Sequence, residues 1–402
     1  MNSVNSISFK EIPLKLYDPD WGSLLATTII ELEKLRVKKL GGPVPPYIFF
    51  QLKEIFQMFE SLGSARIEGN NTTLAEFVER IIEDPSKKAK DDGLKEIFNI
   101  DRAIDFIEKN VDKTKDFDRA LISEVHKIIV EGLTLPPNGE GSRFPGELRP
   151  INVSIKNSYH VPPDHIKVPE YLEELLLFVN KSVDTQYHLL AIALAHHRVA
   201  WIHPFDNGNG RMVRMFTYAL LIKQGFKVKS GRILNPTAIF CMDRNKYYEM
   251  LALADTGERE KVLNWCLYML KGLRDEIEKI DKLLDLDYMT NNILIPVLSY
   301  ALEREHITKR EFEILRAVVK DKEMTIKSND LQSIIGKESP VQRSRIIKRL
   351  KKKNMLIPLK DNGRIYTIGF ANNYLLRGVA YILEQNGFVP ESLNKNPSAP
   401  KV

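Results

Sequence analysis

Cysteine is scarce in this sequence, since Cys241 and Cys266 are the only two among 402 residues. Two cysteines make neither a disulfide framework nor a zinc cluster, so both are excluded and a reducing cytoplasm is the expected compartment. Long apolar runs are missing as well. No stretch of about 18 apolar residues occurs, so no membrane span is expected. The first twenty residues lack a basic start followed by an apolar core, so no signal peptide is expected.

A strong excess of charge of one sign is also missing. The chain has 59 Lys and Arg against 53 Asp and Glu, a net charge of +6, which is only a weak indication of an anionic partner. Hydrophobic residues make up 43% and charged residues 28% of the chain, as is typical of globular proteins. The length predicts two or three domains.

Apolar residues at helical spacing predict a mainly α-helical chain. One helix is expected from about Tyr47, and another begins after Thr72 or Thr73, where Glu76 completes a capping box. Further helices are predicted at about 93–110, 116–133, 168–181, 186–202, 208–225, 245–254 and 259–284.

Two regions depart from this helical pattern. The segment from Gly146 to Pro163 alternates apolar and polar residues and predicts a β-hairpin. Beyond residue 286, two short helices, a basic helix capped by Ser339 and two strands around the turn "DNG" predict a winged helix-turn-helix domain. The predicted domains are 1–110 (N-terminal helical region), 111–285 (core), 286–388 (winged helix) and 389–402 (disordered tail).

The stretch "HPFDNGNGRMVR", His203 to Arg214, concentrates residues that suit phosphate chemistry. Its glycine-rich turn precedes a predicted helix, whose unpaired N–H groups favour an anion. Arg211 and Arg214 share a helix face, and two guanidinium groups suit a di- or triphosphate. His203 is a candidate general base. Each feature alone is typical of an ordinary helix connection, but their combination within twelve residues is specific.

This stretch resembles the motif HxFx(D/E)GNGRxxR of the Fic family, with Asn207 in place of the acidic residue. The likeness extends over about residues 45–255. It implies a Fic-type helical bundle with a small β-hairpin flap. It also implies transfer of AMP from ATP to a Ser, Thr or Tyr hydroxyl of a protein, with release of pyrophosphate.

The resemblance implies a role for each residue of the motif. His203 would take the proton of the target hydroxyl, and Phe205 would pack inward and fix the loop. Arg214 would hold the γ-phosphate. The groups that would contact the phosphates are Gly208, Asn209, Gly210, Arg211 and Arg214. Such positioning and charge neutralisation are what phosphoryl chemistry demands.

Asn207 stands where the family's acid binds the Mg²⁺ (or Mn²⁺) that bridges the phosphates. A neutral amide oxygen is a weaker ligand for a hard cation, so metal binding at Asn207 and the rate of transfer are left open. Asp206 is the adjacent acid. Some family members with an altered acid transfer other groups, such as phosphocholine or phosphate. AMP transfer is nevertheless the first hypothesis.

Two further stretches resemble the family's target and nucleotide sites. "GELRPINVSI" resembles the flap, in which Arg149, Val153 and Ile155 would dock the target peptide by strand addition. The alternative is a plain hairpin packed on the helices. In "MDRNKYYEML", Asn245 and Tyr248 are candidate adenosine contacts, and Tyr247 is a core candidate.

Upstream, "SARIEGN" resembles the inhibitory motif (S/T)xxxE(G/N), which Ser64, Glu68 and Gly69 match. The resemblance implies that Glu68 pairs with Arg214 and occupies the γ-phosphate position, so that ATP binds in a pose unsuited to transfer. The alternative is an ordinary helix C-terminus, for which Gly69 followed by Asn70 is a typical signal.

Two functions therefore compete. The first is an autoinhibited protein adenylyltransferase that uses ATP and acts on another protein or on itself. The second is a DNA-binding regulator with a nucleotide-sensing Fic domain, because one predicted helix is strongly basic. Its basic residues are Lys337, Arg343, Arg345, Lys348, Arg349, Lys351, Lys352 and Lys353. A basic face that binds protein or forms a homodimer is the alternative to DNA contact.

Overall fold

The structure is a computed structural model that describes residues 9–37, 44–84, 89, 91–155, 158–181, 184–226, 233–327, 329–336, 339–361 and 363–394. These residues are mostly helical and contain one small antiparallel sheet. The helices are α1 (Leu24–Val37), α2 (Pro46–Glu68), α3 (Leu74–Glu83), α4 (Asp92–Asn110), α5 (Arg119–Val130), α6 (Val168–Asn180), α7 (His188–Ile202), α8 (Asn209–Lys223), α9 (Thr237–Met242), α10 (Arg244–Ala254), α11 (Arg259–Asp281), α12 (Leu286–Tyr288), α13 (Ile295–Glu303), α14 (Lys309–Lys320), α15 (Leu331–Ile335), α16 (Pro340–Lys352) and α17 (Leu375–Gln385). The strands are β1 (Thr325–Lys327), β2 (Leu356–Pro358) and β3 (Ile365–Ile368).

The chain divides into two compact units. The first takes in Met1–Lys39, Gly63–Asn71 and Ala89–Ile277, and the second takes in Leu40–Leu62, Thr72–Lys88 and Glu278–Val402. These bounds differ from the division at residues 110 and 285 that the sequence predicts, and that division stays a prediction.

The core of the first unit is built around α7 and α8, which pack against each other. Ala, Leu, Ile and Val residues cover almost the whole circumference of α7, and a helix that is apolar on all sides belongs in a core. Helices α4 and α5 pack on α8, and α6 packs on α7. The loop from His203 to Gly208 joins these two inner helices, so both of its ends are fixed.

In the second unit, residues 309–368 run in the order α14, β1, α15, α16, β2, β3. Strand β3 lies between β1 and β2 and pairs with both in antiparallel fashion. Ser339 caps α16 as predicted, in a capping box with Gln342. The helix buries three apolar side chains, Ile346, Ile347 and Leu350.

Local helix signals in the sequence are confirmed where capping residues carry them. Thr73 accepts a hydrogen bond from the Glu76 N–H, and the Glu76 side chain returns to the Thr73 N–H, which completes the predicted box at α3. The sequence misses α1, α9, α13, α17 and β1. Strand β1 has three residues and is defined by its pairing with β3, which no local pattern indicates.

The predicted β-hairpin between Gly146 and Pro163 is wrong, because residues 146–155 and 158–163 contain no strand. The backbone here finds partners elsewhere: the Arg149 N–H donates to the Pro204 carbonyl at 2.9 Å, and the Arg149 guanidinium binds the Ile151 and Pro163 carbonyls. The segment is held by these contacts and not by a strand partner of its own.

The predicted disordered tail begins too early. Val389 and Leu393 are only 3% and 1% exposed, so the chain packs its apolar side chains as far as this point. Residues 395–402 of the predicted tail lie outside the described residues. Among the described helices, none is both long and apolar enough to cross a bilayer.

Candidate active site

The loop between α7 and α8 makes its turn with two left-handed residues. His203 ends α7 with φ 51° and donates its N–H to the Val199 carbonyl at 3.0 Å. Gly208 precedes α8 with φ 76°, and a Cβ there would lie 2.9 Å from Val130 Cγ1. Only glycine fits such a position without strain. The turn delivers the first N–H groups of α8, which have no partner within the helix, to one side of the loop.

Side chains within the loop brace it from inside. The ring of Phe205 is fully buried and stacks on His126 with ring centroids 3.7 Å apart, which confirms that Phe205 packs inward. Asn209 accepts a hydrogen bond from the Phe205 N–H at 2.9 Å and donates one to the Phe205 carbonyl at 2.8 Å. The Asn209 side chain therefore holds the loop, and only its backbone can serve the predicted contact with phosphate.

His203 is partly buried at the start of this loop. Burial, together with the neighbouring His160 and Arg149, lowers the pKa of His203 to about 4. The imidazole is therefore neutral at pH 7 and able to accept a proton, as a general base must.

Arg214 is buried and holds the end of α2. Its Nε donates to Ser64 Oγ at 2.8 Å, and its Nη2 donates to the Ser64 carbonyl at 2.9 Å and to Glu68 Oε1 at 2.8 Å. The predicted contact between Glu68 and Arg214 is therefore present. Burial opposes the charge of Glu68, but Arg214 and then Arg211 outweigh it and hold the pKa of Glu68 below its ordinary value.

The Glu68 carboxylate lies directly over the glycine-rich turn. A Cβ built on Gly210 would be 2.1 Å from Glu68 Oε1, so the close approach depends on glycine. Gly69 follows with φ 110°, and the Asn70 N–H returns to the Ala65 carbonyl at 3.1 Å. The geometry agrees with both interpretations of residues 64–70. The stretch ends a helix, and that helix end places the Glu68 carboxylate at the start of α8, where an anion is predicted to bind.

Arg211 is fully buried and faces a second carboxylate. Its Nη1 lies 2.9 Å from Glu96 Oε1, and its Nη2 donates to the Glu140 carbonyl at 2.7 Å. Asn70 Nδ2 donates to the other oxygen of Glu96 at 2.8 Å. Burial raises the pKa of Glu96, and the charge of Arg211 opposes this rise.

The side chains of Asn207 and Asp206, the two candidates for a metal ligand in this loop, both make hydrogen bonds within the protein. Asn207 Nδ2 donates to the Gly141 carbonyl at 3.0 Å, while its Oδ1 accepts the Gly208 N–H at 2.8 Å. Asp206 accepts hydrogen bonds from the Ser142 hydroxyl and from the Arg143 N–H. Within the described ranges, no three His, Cys, Asp or Glu side chains are grouped to hold a metal ion. The side-chain oxygens of Asn207 and Asp206 thus already accept hydrogen bonds within the protein, and metal binding at Asn207 stays a prediction.

The segment after Gly146 runs beside the loop and forms neither helix nor strand through residue 155. Arg149 is 2% exposed, and its Nε donates to the His203 carbonyl at 2.9 Å, so it anchors the segment beside the loop, and its part in target docking stays a prediction. Val153 and Ile155 are half-buried, with Ser154 exposed between them. Half-buried and exposed side chains therefore alternate along this segment as predicted, although the predicted hairpin is absent from its described residues.

Helix α10 lines another side of the anion site. Tyr248 is 41% exposed and Asn245 is exposed, while Tyr247 is buried as predicted. Burial raises the pKa of Tyr248, and the negative charge of Glu68 raises it further. Arg244 lies over the Tyr248 ring, with Cζ 5.5 Å from the ring centroid.

Three residues near the site carry no signal in the sequence: His126, Glu96 and Arg244. The first two lie in predicted helices and Arg244 lies just before one, and only the fold relates them to the loop. His196 and His197 are both structural, because His196 binds Thr217 and Tyr247, and His197 binds Asp255.

Comparison with known proteins identifies the segment that holds this loop. Residues 116–221 match the sequence model of the Fic/DOC family. The chain is 29% identical over 204 residues to the protein adenylyltransferase Fic of Nematostella vectensis, which covers 48% of this chain and 42% of the relative. It is 31% identical over 206 residues to the protein adenylyltransferase Fic of Drosophila yakuba, which covers 50% of this chain and 37% of the relative. The chain thus spans less than half the length of these curated relatives.

Solved structures share the fold. A Fic family protein from Desulfovibrio desulfuricans superimposes with a TM-score of 0.52 at 19% identity, covering 88% of this chain and 98% of that one. A Fic domain containing signaling protein from Bacteroides thetaiotaomicron has a TM-score of 0.52 at 18% identity, covering 65% of this chain and 98% of that one. At such identities the likeness concerns the fold alone. Together with the family match, these comparisons identify a Fic/DOC domain at residues 116–221.

Proposed function

We propose that this chain transfers AMP from ATP to a Ser, Thr or Tyr hydroxyl of a protein, and that Glu68 restrains the transfer. One observation carries the proposal: the Glu68 carboxylate lies on the glycine-rich turn and pairs with Arg214 at 2.8 Å, where a phosphate group would bind. Relatives of about 30% identity over half of the chain are named protein adenylyltransferase, which supports the reaction class.

In the proposed reaction, the target hydroxyl oxygen forms a bond to the α-phosphorus of ATP. The bond from that phosphorus to the bridging oxygen breaks, and pyrophosphate leaves with the electron pair. His203 takes the hydroxyl proton, for which its neutral state at pH 7 suits it. The N–H groups at the start of α8 and the Arg214 guanidinium neutralise phosphate charge, which is the main contribution a protein makes to such transfers.

The proposed restraint is a competition for one guanidinium. Arg214 makes charge-assisted hydrogen bonds, and a γ-phosphate oxygen requires the same N–H group that Glu68 now occupies. While Glu68 stays in place, the γ-phosphate is kept out and the α-phosphorus is not aligned with His203. Release of Glu68 opens the site.

We further propose that the segment around Val153 and Ile155 receives the target. Its backbone forms no strand pair in residues 146–155, and its side chains alternate, so a target peptide can add as a strand. The target is a second protein or another copy of this chain, and pairing of two copies stays a prediction.

Intact-mass spectrometry and labelling with ATP radioactive at the α-phosphate test this proposal. The full chain as wild type, Glu68→Gly and Glu68→Gly/His203→Ala is incubated with ATP and Mg²⁺ or Mn²⁺, alone and with a nucleotide-free cell extract. Glu68→Ala controls for the flexibility that glycine adds at a helix end. We expect AMP on protein with both single variants and none with the double variant.

The outcomes are distinct. Label that depends on His203 and increases when Glu68 is removed supports both the transfer and the restraint. Equal labelling by wild type and Glu68→Gly would refute the restraint alone. No label in any sample, although calorimetry detects ATP binding by Glu68→Gly, would refute AMP transfer.

The second candidate function is DNA binding by the second unit. The order helix, strand, two helices, two strands, with β3 between the other strands, supports a winged-helix interpretation of residues 309–368. Residues Gln342, Ser344, Arg345 and Lys348 of α16 are exposed, and such side chains contact bases and phosphates. Arg349 and Lys353 instead bind the buried Glu311, so only part of the basic charge is available.

Duplex binding by the full chain tests this second candidate. The variant Arg345→Glu/Lys348→Glu should lose salt-dependent affinity, whereas Lys309→Glu/Lys322→Glu, the same charge change at exposed positions outside α16, should retain it. Equal losses of affinity in the two double variants would assign the binding to net charge. An affinity that does not depend on salt would refute DNA contact through the basic residues of α16.

A further inference from the structure

A histidine outside the recognised motif joins the two parts of the site. His126 lies on α5 and is fully buried. The Gly146 N–H donates to its Nδ1 at 2.8 Å, and its Nε2 lies 3.0 Å from the Asn207 carbonyl. One face of its ring stacks on Phe205, with the planes 4° apart. Three chain segments therefore meet at one imidazole: α5, the segment that begins at Gly146, and the loop that carries Phe205 and Asn207.

These contacts define which nitrogen carries the proton. Because Nδ1 accepts the Gly146 N–H, it has no proton of its own, so Nε2 carries the proton and donates to the Asn207 carbonyl. Burial keeps the ring neutral, with the pKa of His126 at about 4. Nδ1 therefore acts only as a hydrogen-bond acceptor, and Nε2 acts only as a donor.

The two partners of His126 have different roles in the proposed reaction. Gly146 begins the segment that we propose as the target-docking segment, and Asn207 belongs to the loop that would hold the phosphates. Gly146 has φ 81°, and a Cβ there would lie 2.7 Å from the Lys127 side chain, so the start of the segment has little room to shift. A rigid ring between Gly146 and Asn207 fixes the distance between the segment that would hold the target hydroxyl and the loop that would hold the phosphates of ATP.

We infer that His126 is a positioning residue that sets the target-docking segment relative to the phosphate loop. The inference rests on the proposed function, because it assigns the two contacts to the target and to the nucleotide. His126 touches neither reacting group and acts through Gly146 and Asn207.

The competing explanation is a core histidine with satisfied hydrogen bonds. His196 is such a residue: it is fully buried, stays neutral and joins Thr217 to Tyr247 without contact to either segment. It therefore provides a matched control. Loss of His196 should lower stability without a selective effect on residues 146–155 or on the loop.

Three variants separate the contacts of His126. In His126→Asn the amide takes the place of Nδ1 and keeps the acceptor for Gly146. In His126→Gln the amide reaches the place of Nε2 and keeps the donor for Asn207. His126→Phe keeps only the stacked ring. Each is made in the full chain, with His196→Asn beside it.

Hydrogen exchange and ADP binding provide the measurements, and neither requires catalysis. We expect His126→Gln to speed exchange at Gly146 about fivefold to tenfold, as for one lost hydrogen bond. We expect His126→Asn to speed exchange across Gly208–Arg211 and to weaken ADP binding about fivefold. His126→Phe should show both effects, and His196→Asn should show neither beyond a uniform change.

A uniform effect in all variants, scaled to their loss of stability, would overturn the inference. If a variant does not fold, nitrogen NMR of the wild-type ring still decides, because a proton on Nδ1 or a charged ring at pH 7 contradicts the proposed bridge. Where AMP transfer is detected, His126→Gln should raise KM for the target and His126→Asn should raise KM for ATP. Absence of transfer, with the split in exchange intact, would refute the proposed function and leave the positioning by His126 in place.

Discussion

Removal of Glu68 should strengthen the binding of ATP far more than the binding of ADP. The two nucleotides differ by the γ-phosphate, and Glu68 occupies the guanidinium that this group would use. A contact that blocks only the γ-phosphate must therefore change the ratio of the two affinities. A general loosening of the site would change both affinities together.

The size of the effect follows from the contact itself. The side chains of Glu68 and Arg214 are 23% and 1% exposed, with nitrogen and oxygen 2.8 Å apart. A hydrogen bond to a charged group contributes about 1.5–3 kcal/mol, and the partial exposure of Glu68 favours about 2 kcal/mol. Because 1.4 kcal/mol is a factor of ten, ATP should bind Glu68→Gly about 30-fold more tightly than it binds wild type. ADP should change by less than about threefold.

Isothermal titration calorimetry with both nucleotides measures this ratio. Glu68→Ala should match Glu68→Gly, because neither variant supplies a competing carboxylate. Glu68→Gln should lie between these variants and wild type, since it keeps an acceptor but no charge. An unchanged ratio of ATP to ADP affinity would refute the competition, even if the absolute affinities rise.

Three further predictions concern pH and backbone strain. With the pKa of His203 at about 4, AMP transfer by Glu68→Gly should stay level from pH 8 to about pH 5, and a rate that halves near pH 6.5 would contradict this. Because burial lowers the pKa of His126 from 6.5 to about 4, the stability it contributes is present above pH 6.5 and is lost as pH falls toward 4. Denaturant unfolding should lose roughly 3 kcal/mol of stability through this group, and His126→Asn should lack that loss. Gly208→Ala should destabilise by about 1–3 kcal/mol more than Gly387→Ala. Both positions have φ above 70°, but a Cβ at Gly208 meets Val130 and one at Gly387 meets open space, so equal costs would show that packing is irrelevant.

The sequence predicted those parts of the fold that local chemistry determines. The capping residues Thr73 and Ser339 mark the start of α3 and α16 because their partners lie three residues away. The hairpin at 146–163 failed for the opposite reason. Apolar and polar residues do alternate there, but Arg149 binds the carbonyls of His203 and Pro163 and so holds the segment without a strand partner.

Only those residues of the candidate site that belong to a sequence motif could be predicted. Resemblance supplied the pairing of Glu68 with Arg214, which lie 146 residues apart, and no local pattern supplies it. Nothing in the sequence distinguishes Glu96 from other helical glutamates, because its importance arises from burial beside Arg211. The residue type of Asn207 indicates a weaker ligand for a hard cation, but its hydrogen bond to the Gly141 carbonyl depends on the fold.

Arg214 pairs with Glu68, and Arg211 pairs closely with Glu96 and at 3.5 Å with Glu140, but only the pair of Arg214 and Glu68 is suited to exchange for a phosphate. Glu96 and Arg211 are 4% and 0% exposed, so separating them leaves a charge in the protein interior. Glu68 sits in the last turn of α2 before Gly69 and keeps contact with water, so it can leave Arg214 at lower cost. Arg211 is therefore expected to stay paired as part of the scaffold, while Arg214 changes partner.

Glu96→Ala tests this division of roles. Loss of one partner of a buried pair should lower the free energy of unfolding by about 3–5 kcal/mol, and the ratio of ATP to ADP affinity should stay at its wild-type value. Glu68→Ala should do the reverse, with a smaller loss of stability and a raised ratio. If Glu96→Ala raised the ratio as much as Glu68→Ala does, both carboxylates would compete with the nucleotide, and the structural role of the first pair would be wrong.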